Sequence, residues 1–441
     1  MLIENFKKYY KNLIAISIPI ILGNISHILI GTVDVLVASR HSVDTLASIS
    51  IANSIVACLF IVGIGLMAGI TPVISNYLGA SKPSKKYFLS TINYSLLLST
   101  ILCLITLLVI PFIGKFGFEE KLIPAIKEYI FVVAFSYFGA YLHFCLKEFL
   151  QAYEIVKFPN LVSFLAVFLN LVFNIIFVFG FWFIPAFGSV GLAIATLLVR
   201  TIMGLILLSY CLKSFELNIK LDLPYIKQLI KVGCPIAIAL LLEFCAFNGI
   251  TIVVARESGL FAAVQSIIIS ITSLTFTVPL AISNAIAIKV GFANGARNYL
   301  DLKKYSISGT VITTLFMSIC AVILFFLPKQ ILSLFTVDEK LLNIGVPIIL
   351  VASIFQIFDG MQVAFSGILK GIKKTFFVTV SILCGYWFVG LSLGAVFAYK
   401  FNMKLIGFWC GLAISIFSLS ILMGITIFIM FKKLRKAYTS I

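Results

Sequence analysis

The chain has 441 residues, of which 61% are hydrophobic and 11% charged, with a mean hydropathy of +1.16. A soluble domain carries roughly 25% charged residues, so no water-soluble core can absorb this much apolar surface and lipid must cover it. The formal charge of +17 sits in short clusters between apolar stretches, with no long basic tail and no zinc-finger spacing, which argues against nucleic acid as a partner.

A helix needs about 20 apolar residues to cross the hydrocarbon layer. Twelve stretches qualify: 13–38, 46–70, 88–112, 127–146, 159–181, 186–210, 229–255, 260–285, 305–327, 343–366, 376–399 and 405–430. The first follows a basic start, lacks a small-x-small cleavage site and continues past Leu36, too long for a signal-peptide core. It is read as a retained spanning helix. Barrel strands would alternate over roughly ten residues, which is not the pattern. Backbone groups without water partners must bond within helices, so the expected fold is an all-α membrane protein.

Positive charge alternates from loop to loop. Lys7, Lys8 and Lys11 precede the first span; Lys82, Lys85 and Lys86 follow the second; Lys213, Lys220, Lys227 and Lys231 separate spans six and seven. Lys289, Arg297, Lys303 and Lys304, then Lys370, Lys373 and Lys374, then Lys432, Lys433, Arg435 and Lys436 continue the series. With twelve spans these fall on one side, which the positive-inside bias assigns to the cytoplasm together with both termini. The expected location is a membrane bordering the cytoplasm.

The chain is also written twice. Pro19, Arg40, Gly79 and Gly191 recur 216 residues later as Pro235, Arg256, Gly295 and Gly407, and ITPVISNYLGA at Ile70–Ala80 has the degenerate copy IAIKVGFANGA at Ile286–Ala296. The expected division is an N-terminal six-helix lobe over 1–210, a cytoplasmic linker over 211–231 and a C-terminal six-helix lobe over 232–441. Because both halves begin on the same side, the repeats are parallel, related by a pseudo-two-fold axis along the membrane normal. The nine cysteines are scattered without a CxxC pair, so neither disulfides nor a metal cluster is expected. GxxxG spacing at Gly65–Gly69, Gly367–Gly371, Gly390–Gly394 and Gly407–Gly411 marks faces for close helix contact.

Five segments carry a resemblance over nearly the whole length: PIILGNISHILIGTVDVLVASR (Pro19–Arg40), GLMAGITPVISNYLGA (Gly65–Ala80), GSVGLAIATLLVR (Gly188–Arg200), IFQIFDGMQVAFSGILKGIKKT (Ile354–Thr375) and GFWCG (Gly407–Gly411). In order and spacing the chain resembles a multidrug and toxic compound extrusion (MATE) transporter of the NorM-like branch. The resemblance implies secondary active efflux, with cytoplasmic organic cations or amphipathic compounds exchanged for external Na+ or H+ by alternating access. It implies small-molecule substrates, membrane lipid as surroundings, no cofactor beyond the coupling ion, and a working monomer.

Three acids lie deep in predicted spans: Asp34, Glu243 and Asp359. A charge at the bilayer centre costs about 2.5–3.5 kcal/mol on insertion scales, so each should face a cavity or a partner. A protonated carboxyl in an interhelical hydrogen bond is the plainer alternative. Glu243 and Asp359 match the acids that the resemblance assigns to cation binding; a sodium ion or a proton between them would relieve their repulsion. Asp34 matches the first-half acid and is expected in proton or substrate coupling. His27, seven residues earlier on the same helical face, is open to a proton relay or to packing. The repeat does not duplicate these acids, since Ile250 stands opposite Asp34 and Glu243 opposite His27.

Asn174, Asn248, Gln265, Asn284 and Gln356 are candidates for supporting oxygen ligands, and Phe244, Phe247, Tyr386 and Trp387 for an aromatic substrate cavity through cation–π attraction. No GxxxxGK[ST] sequence and no nucleophile–base arrangement is present, so neither ATP drive nor an enzyme is expected. The alternative reading is a flippase or exporter of a lipid-linked precursor, which would want cations in its cavity. Arg200, at the end of predicted span six, is the one residue that fits it.

Overall fold

The computed structural model describes residues 2–215 and 222–439. Residues 216–221 of the expected linker, with Glu216 and Lys220, lie outside the described residues. The helices are α1 (Leu2–His41), α2 (Val43–Met67), α3 (Ile70–Gly79), α4 (Phe88–Val109), α5 (Ile123–Ala152), α6 (Lys157–Phe179) and α7 (Ser189–Ser214). The second repeat supplies α8 (Leu223–Glu257), α9 (Gly259–Gly295), α10 (Tyr299–Phe326), α11 (Pro328–Ser333), α12 (Glu339–Gly371), α13 (Thr375–Ile382), α14 (Ser392–Ala395) and α15 (Lys404–Thr439). π-helical turns over Leu383–Leu391 and Val396–Lys400 flank α14, so Thr375–Lys400 forms one continuous span.

Among the described residues twelve spans are long and apolar enough to cross a membrane, as expected from hydropathy. They run further than the apolar stretches: the first covers Phe6–His41 rather than 13–38. Hydropathy marks the lipid-crossing part of a helix, whereas backbone hydrogen bonding carries on into polar ends. The second span differs more, since Val43–Gly79 runs on through residues 71–79, which hydropathy had left outside. It breaks at Ala68–Gly69 because Pro72 has no N–H to give the Ala68 carbonyl. Its repeat partner, Ile288, keeps α9 unbroken from Gly259 to Gly295.

The duplication reaches the backbone. Ser42 and Ser258, 216 residues apart, both cap helices, accepting from Thr45 N at 3.0 Å and Leu260 N at 3.2 Å. Ser81 and Arg297, at the same separation, both turn through φ 54°. The predicted small faces interlock, with Gly411 against the backbone of Gly394 and Gly390, and Gly407 against Ala398 N.

Contacts divide the chain into two compact units. The C unit comprises Met1–Ile18, Ser75–Ser81 and Ile238–Ile441; the N unit comprises Pro19–Ile74 and Lys82–Ala237. These are not the two halves of the sequence. The boundaries fall inside α1 and α8, at Pro19 and just past Pro235, where a missing backbone hydrogen bond lets a helix change course. Within the N unit, α5 packs on α7, α4 and α2; within the C unit, α12 packs on α9, α10 and α15. α5 and α12 are the fourth spans of their repeats, so the same position forms the hub twice.

Candidate functional site

Each unit encloses a largely apolar cavity with a few polar side chains in its wall. The C-unit cavity, about 390 Å³, is reached by Glu243 from α8, Asp359 from α12 and Tyr386 from the π-helical turn Leu383–Leu391. Asp359 is buried, Glu243 half-buried and Tyr386 fully buried. Tyr386 Oη lies beside the Glu243 carboxylate. A buried hydroxyl and two carboxylates in one space form a costly arrangement that a bound cation or proton would relieve. Thr272 and Ser273 of α9 also line this cavity, so four hydroxyl- or carboxyl-bearing side chains besides Tyr386 face one space. Oxygen donors of this kind suit a hard cation. Among the described residues no Lys, Arg or His lines the cavity, although the charge of Lys370 acts on Glu243. Among the described residues no group of three His, Cys, Asp or Glu side chains converges as a metal cluster.

The aromatic candidates separate. Phe244 and Phe247 line the cavity with Tyr386, and Phe247 lies 5.8 Å from the Tyr386 ring and 6.4 Å from Phe355. Trp387 does not line it. Its indole Nε1 donates to the Leu242 carbonyl at 3.1 Å, and 38% of the residue is exposed. Neighbouring residues on a helix point in different directions, so only Tyr386 of this pair turns inward.

The amide candidates separate too. Asn248 lines the cavity, with Nδ2 donating to the Phe244 carbonyl at 2.8 Å. Gln265 does not line it; the residue is buried, its Oε1 accepting from Trp409 Nε1 at 2.7 Å. Gln356 donates from Nε2 to Thr275 Oγ1 at 2.6 Å, and Asn284 is half-buried on α9; neither lines the cavity. Asn174 belongs to the N unit.

The N-unit cavity, about 300 Å³, is built around Asp34 of α1. Asn174 and Asn170, one turn apart on α6, both donate to Asp34 Oδ1, at 2.7 and 3.1 Å. Asn174 Nδ2 also reaches Asn170 Oδ1 at 3.2 Å. His27 lines the same cavity, but no hydrogen bond joins it to Asp34; its ring stacks on Phe144 at 5.1 Å and its Nε2 is buried without a partner. His143 Nε2 meets Ser163 Oγ at 3.2 Å.

Arg200 is midway along α7 rather than at the end of a span, and it lines this cavity. The apolar stretch 186–210 already extends well past it, so composition too places Arg200 within the span. Asn170 was missed as well, although an Asn pair spaced four apart in an apolar helix points both amides to one face. Lys147 of α5 is buried in the same unit, a cation that an apolar reading of the fourth span passes over.

Comparison with known proteins matches this arrangement of helices. A probable multidrug resistance protein NorM of Mesorhizobium japonicum is 28% identical over 418 residues, covering 91% of this chain and 89% of that protein. Among solved structures, a MOP superfamily transporter from Pyrococcus furiosus, whose reverse polarity of the binding pocket suggests a different function, superposes with a TM-score of 0.89 at 18% identity over 97% of both chains. The eukaryotic MATE transporter AtDTX14 superposes with a TM-score of 0.87 at 21% identity over 99% of both chains. The MatE family profile covers residues 19–176 and 235–396, one block in each sequence repeat, and with twelve spans around them the chain belongs to the MatE family of membrane transporters.

Proposed function

We infer that the chain is a cation-coupled multidrug exporter of a bacterial inner membrane, with both termini cytoplasmic, working as a monomer. It exchanges cytoplasmic organic cations or amphipathic compounds for external Na+ or H+. The observation that carries this reading is the C-unit cavity, where Glu243 and Asp359 share one space with phenyl rings and no basic side chain. Two carboxylates in a space of low dielectric repel each other and bind any small cation that enters. Acid pair and rings together suit a flat organic cation. Occupancy by the coupling ion and occupancy by the drug each weaken the other, and such reciprocal coupling is what exchange requires. Asp34, held by two amides in the N unit, is assigned a second coupling role.

The test is purified protein in liposomes loaded with a fluorescent organic cation. Efflux is measured under separate sodium and proton gradients. Gradient-dependent efflux under at least one is the expected result. Its absence under both, across a broad panel of cations, would transfer the chain to another substrate class such as a lipid-linked precursor.

A further inference from the structure

We propose that Lys147 is an electrostatic barrier against proton leak, set in a hydrated polar strip that joins the N-unit cavity to the cytoplasmic end of α5. The proposal rests on the exporter reading above, since a transporter that draws work from a cation gradient must stop that cation from slipping through unused. His27 of α1 and His143 of α5 line the cavity, with ring centres 6.2 Å apart. His143 meets Ser163 Oγ of α6 at 3.2 Å and the backbone of Met203 in α7. Polar side chains continue from there on three helices. One turn further stand Asn24 on α1, Lys147 on α5 and Asn160 on α6. Gln151 follows a turn later, beside the end of α5 at Ala152. From His143 to Gln151 the helix rises roughly 12 Å, and the charge pattern puts that end in the cytoplasm.

The strip is buried, yet much of it is not paired within the protein. His143, Lys147, Gln151 and Asn160 are each at most 4% exposed. His27 Nε2, Asn24 Nδ2, Asn160 Oδ1 and both polar atoms of the Gln151 side chain have no protein partner. Asn160 Oδ1 lies against Gly23, where a Cβ would overlap it, so α1 and α6 meet at this level. Buried polar atoms in native proteins are bonded, and internal water meets those that protein atoms miss. Five such atoms within a few helical turns mark a passage that water enters. A continuous chain of water there would carry protons between cavity and cytoplasm with no drug moving.

Lys147 stands in the middle of this strip. Among the described residues no hydrogen bond or ion pair holds its ammonium. The carboxylate whose charge acts on it, Glu148, is the next residue along α5 and accepts instead from Thr71 Oγ1 at 2.5 Å. The charge of Lys147 acts on both His27 and His143, and that of Arg200 on His27 as well. Arg200 is in turn under the charge of Asp34, on the cavity side of His27. The positive potential of the strip therefore comes chiefly from Lys147. A fixed cation inside a narrow hydrated path repels protons, as in pores that pass water alone. Asn, Gln and His suffice to hold water; the fixed charge is what they do not supply.

Proton flux into liposomes holding the purified protein tests this, with a pH-reporting dye sealed inside and no drug present. A potassium diffusion potential set by valinomycin drives the protons. Wild type is expected to match protein-free liposomes. Lys147→Met keeps the length and removes the charge. It should raise proton flux ~10-fold or more, the scale set by one unit charge at contact distance in a medium of effective dielectric about 20. Lys147→Arg keeps the charge and should stay tight. Gln151→Leu should be tight alone and, combined with Lys147→Met, should return the flux to within about twofold of wild type by drying the end of the strip. Melting temperature in detergent and retention of the dye report that each variant is folded and sealed; if Lys147→Met does not fold, Lys147→Gln carries the comparison. A folded, uncharged variant that stays tight would overturn the proposal. So would a leak that Lys147→Arg shares, or one that Gln151→Leu leaves unchanged. The assay needs no substrate, so a leak in Lys147→Met beside a wild type without gradient-dependent efflux would sink the exchange reading and spare the barrier.

Discussion

Gly79 and Gly295 each pack directly against the backbone of the helix that carries the other. A Cβ on Gly79 would run into the carbonyl of Phe292, and a Cβ on Gly295 into the carbonyl of Asn76, three residues back along the facing helix in each case. The two glycines are repeat equivalents, so the contact is reciprocal. Asn294 Nδ2 donates to Asn76 Oδ1 at 2.5 Å beside it, and Asn76 Nδ2 donates to the Gly371 carbonyl at 2.8 Å.

Backbone carbonyls cannot step aside as a flexible side chain can. Gly79→Val or Gly295→Val is therefore expected to destabilise the protein by about 1–3 kcal/mol, the usual cost of overpacking, with the double variant worse than either. Gly249→Ala is the control, because nothing lies within 4 Å of its added methyl. It should be neutral or slightly stabilising, as helical glycine to alanine normally is. Thermal unfolding in detergent measures all four; a melting temperature unchanged in both valine variants would mean that the crossing tolerates separation.

The acid pair gives a second expectation. If Na+ binds between Glu243 and Asp359, a ligand of the folded state alone raises stability as RT ln(1 + c/Kd), with c the Na+ concentration. Wild-type melting temperature should rise with Na+ at constant ionic strength, against a choline reference. Glu243→Gln and Asp359→Asn should each lose most of that rise. Both should remain folded, because each removes a like charge from the shared cavity and keeps the side-chain volume. A full sodium response in either variant would take that residue out of the site.

These two sites differ in how readily they are read from sequence. Asp34, Glu243 and Asp359 stand out because a carboxylate within an apolar span is expensive wherever it points. The spans are legible for the same reason, and the duplication through landmarks such as Pro19 and Pro235. What pairs with each acid is not legible, because residue spacing fixes the face of one helix but not which neighbouring helix it meets. So Asn174 is a partner of Asp34, Gln265 a partner of Trp409, and Trp387 a partner of a backbone carbonyl. The compact units also escape a sequence reading. A chain cut at the charged linker leaves α1 and α8 whole, whereas each of them contributes to both units.

The grip on Asp34 leads to a third prediction. Asn174 and Asn170 converge on one carboxylate oxygen, and Asn174 also braces Asn170 at 3.2 Å. Asn174→Leu removes the shorter bond to Asp34 and the brace together, whereas Asn170→Leu removes one longer bond and leaves Asn174 on Asp34. The first should cost more stability. Interhelical hydrogen bonds in membranes are worth roughly 0.6–1.7 kcal/mol, which sets the scale. In Asp34→Asn the two amides lose their charged acceptor, so each asparagine substitution should cost less than in wild type. A double-mutant cycle on melting temperature measures the coupling, and additive effects would show that the amides do not act through Asp34.

Tyr386 and Trp387 give the last prediction, because adjacent residues on one π-helical turn do different work. Tyr386 Oη is a buried hydroxyl beside Glu243 at the acid-lined cavity. Tyr386→Phe removes that hydroxyl at almost constant volume and should change ion-free stability by no more than about 1 kcal/mol. If the hydroxyl ligates the coupling ion, the same variant must weaken ion binding while the protein stays folded. Trp387 instead donates to the carbonyl of Leu242, the residue before Glu243. Trp387→Phe should lose about 0.6–1.7 kcal/mol of stability and release the α8 segment that carries the acid. π-helical turns recur at functional sites because the extra residue re-aims side chains, and here one turn presents an oxygen to the cavity and a brace to the helix beside it. Ion-dependent melting separates the roles. Tyr386→Phe is expected to shift the ion concentration needed for stabilisation with little change in the ion-free melting temperature, and Trp387→Phe to lower the ion-free melting temperature first. The same pattern in both variants would mean that the turn acts as a single packing element.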